Sequence, residues 1–216
     1  MKGRRNERLH AMERIGQPPT TDLPLDWGVA SWAMPGESET GDLHLVAPYP
    51  GGFLFAVADG LGHGAGAAFA ARQAIATLAG NAALPVVELM RLSHEALHNT
   101  RGAALALVSL RHRDRTLQWL SVGNVDAALV RAAGGRHDRV VLRGGVVGHQ
   151  LPPLRSTTAS MARGDLLVVA TDGVRSDFAD DLRPGAPQVV ADQVLARFGK
   201  TSDDALVLAA RLGSAP

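Results

Sequence analysis

The chain has 216 residues, 46% of them hydrophobic, which is enough apolar material for one self-sufficient domain, and it has no cysteine, which excludes disulfides, a thiolate nucleophile and thiolate-bound zinc or iron–sulfur centres. Lys plus Arg number 22 against 21 Asp plus Glu, and five of the basic residues (Lys2, Arg4, Arg5, Arg8 and Arg14) fall near the start, so the body is slightly acidic. With only 4% aromatic residues as well, the composition offers neither a clustered basic face nor stacking platforms, and no nucleic acid is expected as partner.

Residues 1–22 read as a flexible basic tail that ends in the linker Gln17-Pro18-Pro19-Thr20-Thr21, and 23–216 as a single domain. The basic start is not followed by the hydrophobic region of a secretion signal, and no apolar run reaches the roughly 18 residues needed to span a bilayer. A cytoplasmic protein with no membrane span is expected. Strand patterns begin at 27–33 and continue at 42–47 and 53–58, the last two joined by Pro48-Tyr49-Pro50-Gly51-Gly52 as a hairpin. Small apolar residues over 65–78 predict a helix packed closely on a sheet, and a second helix follows with Pro85 at its first turn. Strands are then expected at 103–110, 116–122, 127–132, 140–142, 156–161 and 166–171, a helix at 187–198, and a last strand after Asp204. Runs of strands interrupted by paired helices indicate α+β rather than alternating βαβ order.

The informative feature is where the acids sit. Asp59-Gly60 follows the apolar run 53–58, Asp172-Gly173 follows 166–171, and Asp203-Asp204 precedes 205–210. A charge placed where a hydrophobic strand emerges is costly unless neutralised, and hard cations with a preference for oxygen ligands would do so. Cations held by carboxylates lower the pKa of water and neutralise charge on a transferred phosphoryl group, so phosphate ester hydrolysis is the natural use. Each element also has a plainer reading: an isolated Asp-Gly is a turn, Asp203 a helix cap or a strand gatekeeper, Asp204 a solvated acid, Gly123-Asn124 a hairpin turn, and His63 a surface histidine or a general acid. The glycines of 60–66 lack the Gly-Lys-Ser/Thr ending of a nucleotide-binding P-loop. The joint order of the acids is what favours a site.

That ordered set, Gly41-Asp42, Ala58-Asp59-Gly60-Leu61-Gly62-His63-Gly64, Val122-Gly123-Asn124, Ala170-Thr171-Asp172-Gly173 and Ser202-Asp203-Asp204-Ala205, resembles the PPM-type metal-dependent serine/threonine phosphatases. The likeness is to their SpoIIE-like branch, nearest to the stand-alone RsbX type, and runs over 27–212. It implies a four-layer αββα sandwich of two antiparallel sheets flanked by helices, with two divalent cations, Mn²⁺ or Mg²⁺, at one end. By the same resemblance Asp59 bridges both ions, the Gly60 carbonyl binds the second, Asp172 and Asp203 complete the first, Asp42 stands beside the second, and Asp204 takes a supporting place. Asp59, Asp172, Asp203 and His63 are the catalytic candidates.

Two departures accompany the resemblance: Leu61 stands where animal-type members carry a histidine, with His63 two residues on, and the loop that offers them a phosphate-binding arginine here offers Glu37 and Glu39. The implied activity is hydrolysis of phosphoserine or phosphothreonine by in-line attack of water, without a phosphoenzyme. The implied substrate is a phosphorylated STAS-domain protein of a stressosome or partner-switching pathway governing a sigma factor or a related output. The rival is a non-catalytic module of the same fold that sequesters such a partner; the oligomeric state stays open.

Overall fold

In β3 (Gly52–Gly60) alternate side chains are apolar on both faces, because the strand is covered on both. Phe53, Phe55 and Val57 enter one apolar cluster, and Leu54, Ala56 and Ala58 another. The computed structural model describes residues 25–213 apart from Arg136 and Pro184; the expected tail over 1–22 lies outside the described residues. In chain order the other elements are β1 (Leu25–Trp32), β2 (Asp42–Tyr49), α1 (Ala65–Ala79), α2 (Val86–Ala96), β4 (Ala103–Arg111), β5 (Thr116–Val122), β6 (Asp126–Val130), β7 (Asp138–Arg139), β8 (Thr157–Ser160), β9 (Leu166–Ala170), a 3₁₀ turn (Ser176–Asp181), α3 (Pro187–Phe198) and β10 (Ala205–Leu212).

The strands form two antiparallel sheets, one in the order β1-β10-β9-β6-β7 and the other β2-β3-β4-β5-β8. The central cluster lies between the sheets, where Phe55, Val57 and Trp119 of one face Val169, Leu206 and Leu208 of the other. Helices α1 and α2 cover the outer face of the second sheet, and α3 with the 3₁₀ turn covers the outer face of the first. This is the four-layer αββα sandwich. Among the described residues no helix is long and apolar enough to cross a membrane.

Small side chains set the closest helix-to-sheet contact. Helix α1 buries Ala67, Ala68, Ala70, Ala71 and Ala74, and a Cβ on Gly60 would stand 2.0 Å from the Ala67 carbonyl oxygen. A larger residue at 60 would have to push the helix away, and overpacking of this kind costs about 1–3 kcal/mol.

Two expectations are corrected. The strand expected at 140–142 lies earlier and is short: Asp138 and Arg139 pair with Leu129 and Ala128, while Val141 and Leu142 are 52% and 46% exposed. Arg139 forms an ion pair with buried Asp126 of β6, and this contact from afar, not apolar pattern, selects the paired residues. Pro85 is the cap residue just outside α2, with φ −58° and ψ 143°, rather than part of its first turn.

Candidate active site

Strand ends of both sheets deliver the acids. Within the β2–β3 hairpin Asp42 and Asp59 are directly paired across the strands. Asp172 follows the end of β9, and Asp203 and Asp204 precede β10, which pairs with β9 in the opposite sheet. Thr171 joins the two sheets: its hydroxyl donates to Asp42 Oδ2 at 2.7 Å and accepts from the Leu206 backbone N–H at 2.9 Å.

Electrostatics show that these acids act on one another. Burial pushes the Asp42 carboxyl up to about 7, against the hydrogen bond from Thr171, and the charges of Asp204, Asp172 and Asp203 push the same way as burial. Asp59 is pushed up to about 9, again first by burial, then by Asp42, Asp172 and Asp203, with hydrogen bonding to Asp172 adding to it. Asp203 is raised by burial and by Asp172, with the Asp204 N–H and Lys200 opposing. No arginine forms an ion pair with Asp42, Asp59, Asp172 or Asp203 among the described residues.

The plainer readings of the two adjacent acids are settled by their partners. Asp204 is buried rather than solvated, and its oxygens accept from the backbone N–H groups of Met34 at 2.7 Å and Gly41 at 2.8 Å, which pins the loop entering β2. Among the described residues Asp203 Oδ1 accepts from the adjacent Asp204 N–H alone, at 2.9 Å, and caps no helix. Both Asp-Gly dipeptides lie against other backbone: a Cβ on Gly173 would meet the Asp204 carbonyl oxygen at 1.8 Å, as one on Gly60 meets Ala67.

His63 lies on the exposed loop before α1, where its Nδ1 is 2.5 Å from Glu37 Oε1. Glu39 of the same acidic loop pairs with Arg72 at 2.6 Å, so each glutamate that stands in place of a phosphate-binding arginine is itself engaged with a cationic or titratable side chain.

Sequence reasoning missed three positioning contacts. Thr171 carries no signal beyond its place before Asp172. Asn124, read as a turn residue, donates its amide to Asp172 Oδ2. Lys200 donates from Nζ to the Asp172 carbonyl oxygen at 2.5 Å, and its own backbone N–H donates to the Gly173 carbonyl at 2.7 Å.

The donor set is all oxygen and strongly acidic, which fits hard divalent cations and not soft ones. Among the described residues no three side chains close tightly enough to form a ready-made cage. Asp42, Asp59 and Asp203 are raised by burial first and by the neighbouring carboxylates after it, and a bound cation would relieve both.

Comparison with known proteins bears on the family and the fold. The phosphoserine phosphatase RsbX of Bacillus subtilis (strain 168) is 29% identical over 152 residues, covering 69% of this chain and 75% of that protein. A solved chain from the bacterial stressosome, described as a modular system adapted to control secondary messenger signalling, superposes with a TM-score of 0.79 at 30% identity, over 87% of this chain and 100% of that one. RsbX in complex with magnesium gives a TM-score of 0.80 at 22% identity over 91% of this chain and 99% of that one, a likeness of fold. Residues 49–213 match the family model described as Stage II sporulation protein E (SpoIIE), and the chain therefore belongs to the SpoIIE family of PPM-type phosphatases.

Proposed function

We propose that this protein is a Mn²⁺- or Mg²⁺-dependent phosphoprotein phosphatase that hydrolyses phosphoserine or phosphothreonine on a phosphorylated STAS-domain protein of a partner-switching pathway. The observation that carries the reading is the set of carboxylates from both sheets, raised in pKa by burial and by one another and without an arginine partner among the described residues. Structural acids do not need such an arrangement, whereas a cation site does. The identity of the substrate class draws on the likeness to RsbX and to the stressosome chain.

Asp42, Asp59, Asp172, Asp203 and the Gly60 carbonyl would hold two divalent cations. When bound, these supply Lewis acidity toward the phosphoryl oxygens and a lowered pKa for water. The chain's own groups do the rest. Thr171 and Asn124 hold Asp42 and Asp172 in orientation through the hydrogen bonds described above. Asp204 fixes the loop that delivers Asp42 and Glu37. Water adds to phosphorus as the serine or threonine P–O bond breaks, and the departing alkoxide takes a proton, for which His63, oriented by Glu37, is the candidate donor. A module that only sequestered its partner would have no use for the full set of acids.

The test is phosphate release by the full chain from p-nitrophenyl phosphate and from a phosphorylated STAS-domain protein, each with Mn²⁺ and with EDTA. Metal-dependent release from both is expected. Release from neither, with the STAS protein bound but left phosphorylated, would establish the sequestering module instead.

A further inference from the structure

Arg101 is the last side chain before the strand that flanks the site, and it points back across the loop that follows Asp59. Gly60 is paired with Ala103 of β4, and the Leu61 N–H donates to the Gly102 carbonyl at 3.0 Å, so the backbone beside Arg101 is fixed to the backbone carrying Gly60. Gly102 holds a positive φ of 78°, and its N–H donates to Thr100 Oγ1 at 3.0 Å, which sets the direction in which Arg101 leaves the chain.

Two glycines make room for its guanidinium. A Cβ on Gly62 would stand 3.2 Å from Arg101 Nη1, and one on Gly66 would stand 2.6 Å from Nε and 2.7 Å from Cζ. The guanidinium therefore lies against bare backbone between the site loop and the first turn of α1. Its one hydrogen bond among the described residues runs from Nη1 to the His63 carbonyl oxygen at 3.2 Å. Arg72 is neutralised by Glu39 and Arg139 by Asp126, whereas Arg101 has no carboxylate partner among the described residues and is exposed. Holding the loop would use one of five donors and would not require a charge. A planar fork with open donors fits a phosphate dianion in a way that a lysine does not.

We infer that Arg101 forms a phosphate-oxygen subsite, binding the non-bridging oxygens of the phosphomonoester from the side of the Gly62–Gly66 loop. The inference rests on the proposed phosphatase reading for its substrate, and it gives the chain a phosphate anchor from the start of β4, where the acidic loop ahead of β2 offers none.

The test compares wild type, Arg101→Ala and Arg101→Lys, all loaded with Mn²⁺. Inorganic phosphate binding is measured by calorimetry, Mn²⁺ binding by the same method, thermal midpoints by fluorescence, and KM and kcat with p-nitrophenyl phosphate. Removal of a charge-assisted bidentate contact is expected to weaken phosphate binding about 10- to 100-fold and to raise KM, with Lys restoring part of the loss. Mn²⁺ affinity and thermal midpoint should stay within error of wild type. Unchanged phosphate affinity in Arg101→Ala overturns the inference, as does a loss that tracks lower Mn²⁺ affinity or a lower midpoint, which would make Arg101 a loop clip. Wild type that binds no phosphate also overturns it. Wild type that binds phosphate through Arg101 without turnover would instead remove the catalytic reading and leave the subsite standing.

Discussion

The two ends of β9 set their acids in opposite surroundings. Just before the strand, Asp165 is 2% exposed and fully partnered: Oδ1 accepts from the Ala132 N–H, Oδ2 accepts from the Ala162 N–H and from Arg131 Nη1, each at 2.9 Å. Just past the strand, seven residues on and about 23 Å away by strand rise, Asp172 belongs to a group whose neighbours are further carboxylates. The first arrangement spends its acid on joining strands. The second leaves its acids raised by burial and by one another, an arrangement that the proposed cations would relieve.

The strongest way to break this contrast is Asp59→Asn. At pH 8 Asp59 holds a proton in the folded metal-free protein that the unfolded chain has lost, and Asn needs none, so the thermal midpoint without metal should rise above wild type. At the same time the Mn²⁺-induced rise in midpoint should largely vanish, and phosphate release should fall by about 1,000-fold, equivalent to about 4 kcal/mol of barrier. A variant that was less stable without metal, yet still active, would place Asp59 among the structural acids.

Arg131→Ala probes the other end and should move stability alone. Arg131 is a partner of both Asp165 and Asp138, and it also donates to the Ser160 carbonyl at 2.5 Å. Its loss strands a buried carboxylate and should cost about 3 kcal/mol in chemical denaturation. Mn²⁺ affinity and kcat of the folded fraction should not change. A selective loss of Mn²⁺ binding would show that the two ends are coupled through β9.

What the sequence made legible follows the same division. The apolar runs ending in Asp59 and Asp172 revealed their strands because burial on both faces leaves a continuous hydrophobic signature, and α3 appeared with its bounds at 187–198 because Pro187 opens it. The grouping of the acids could be anticipated because each stands at a strand end, a position visible locally. Val140-Val141-Leu142 misled for the converse reason: its apolar pattern is real, but two of its residues face solvent and the pairing is decided by Arg139 and Asp126. Thr171 and Asp42 are 129 positions apart, and Asn124 and Asp172 are 48 apart, so their hydrogen bonds exist only once the sheets have stacked. Arg101 was hidden similarly, since its meaning depends on two glycines that show their purpose only beside a guanidinium.

The smallest effect per step is expected from pH. In the unfolded chain these carboxyls titrate near the ordinary value of 3.8, whereas in the folded metal-free protein Asp42 is raised to about 7 and Asp59 to about 9. Between these limits the folded state holds protons that the unfolded state has lost, so stability is greatest below the unfolded value and declines as pH rises through 7 and on to 9. Each proton held contributes a slope of up to about 1.4 kcal/mol per pH unit. Metal-free wild type should therefore lose midpoint from pH 5 to pH 9 more steeply than Asp59→Asn, which has one fewer such group, and Arg131→Ala should keep the wild-type slope. Saturating Mn²⁺ should flatten the wild-type curve, because the cation replaces the protons that the acids otherwise retain. Equal slopes for wild type and Asp59→Asn would mean that neither burial nor the neighbouring carboxylates raise Asp59 in the folded protein, and the contrast between the two ends of β9 would then be one of position alone.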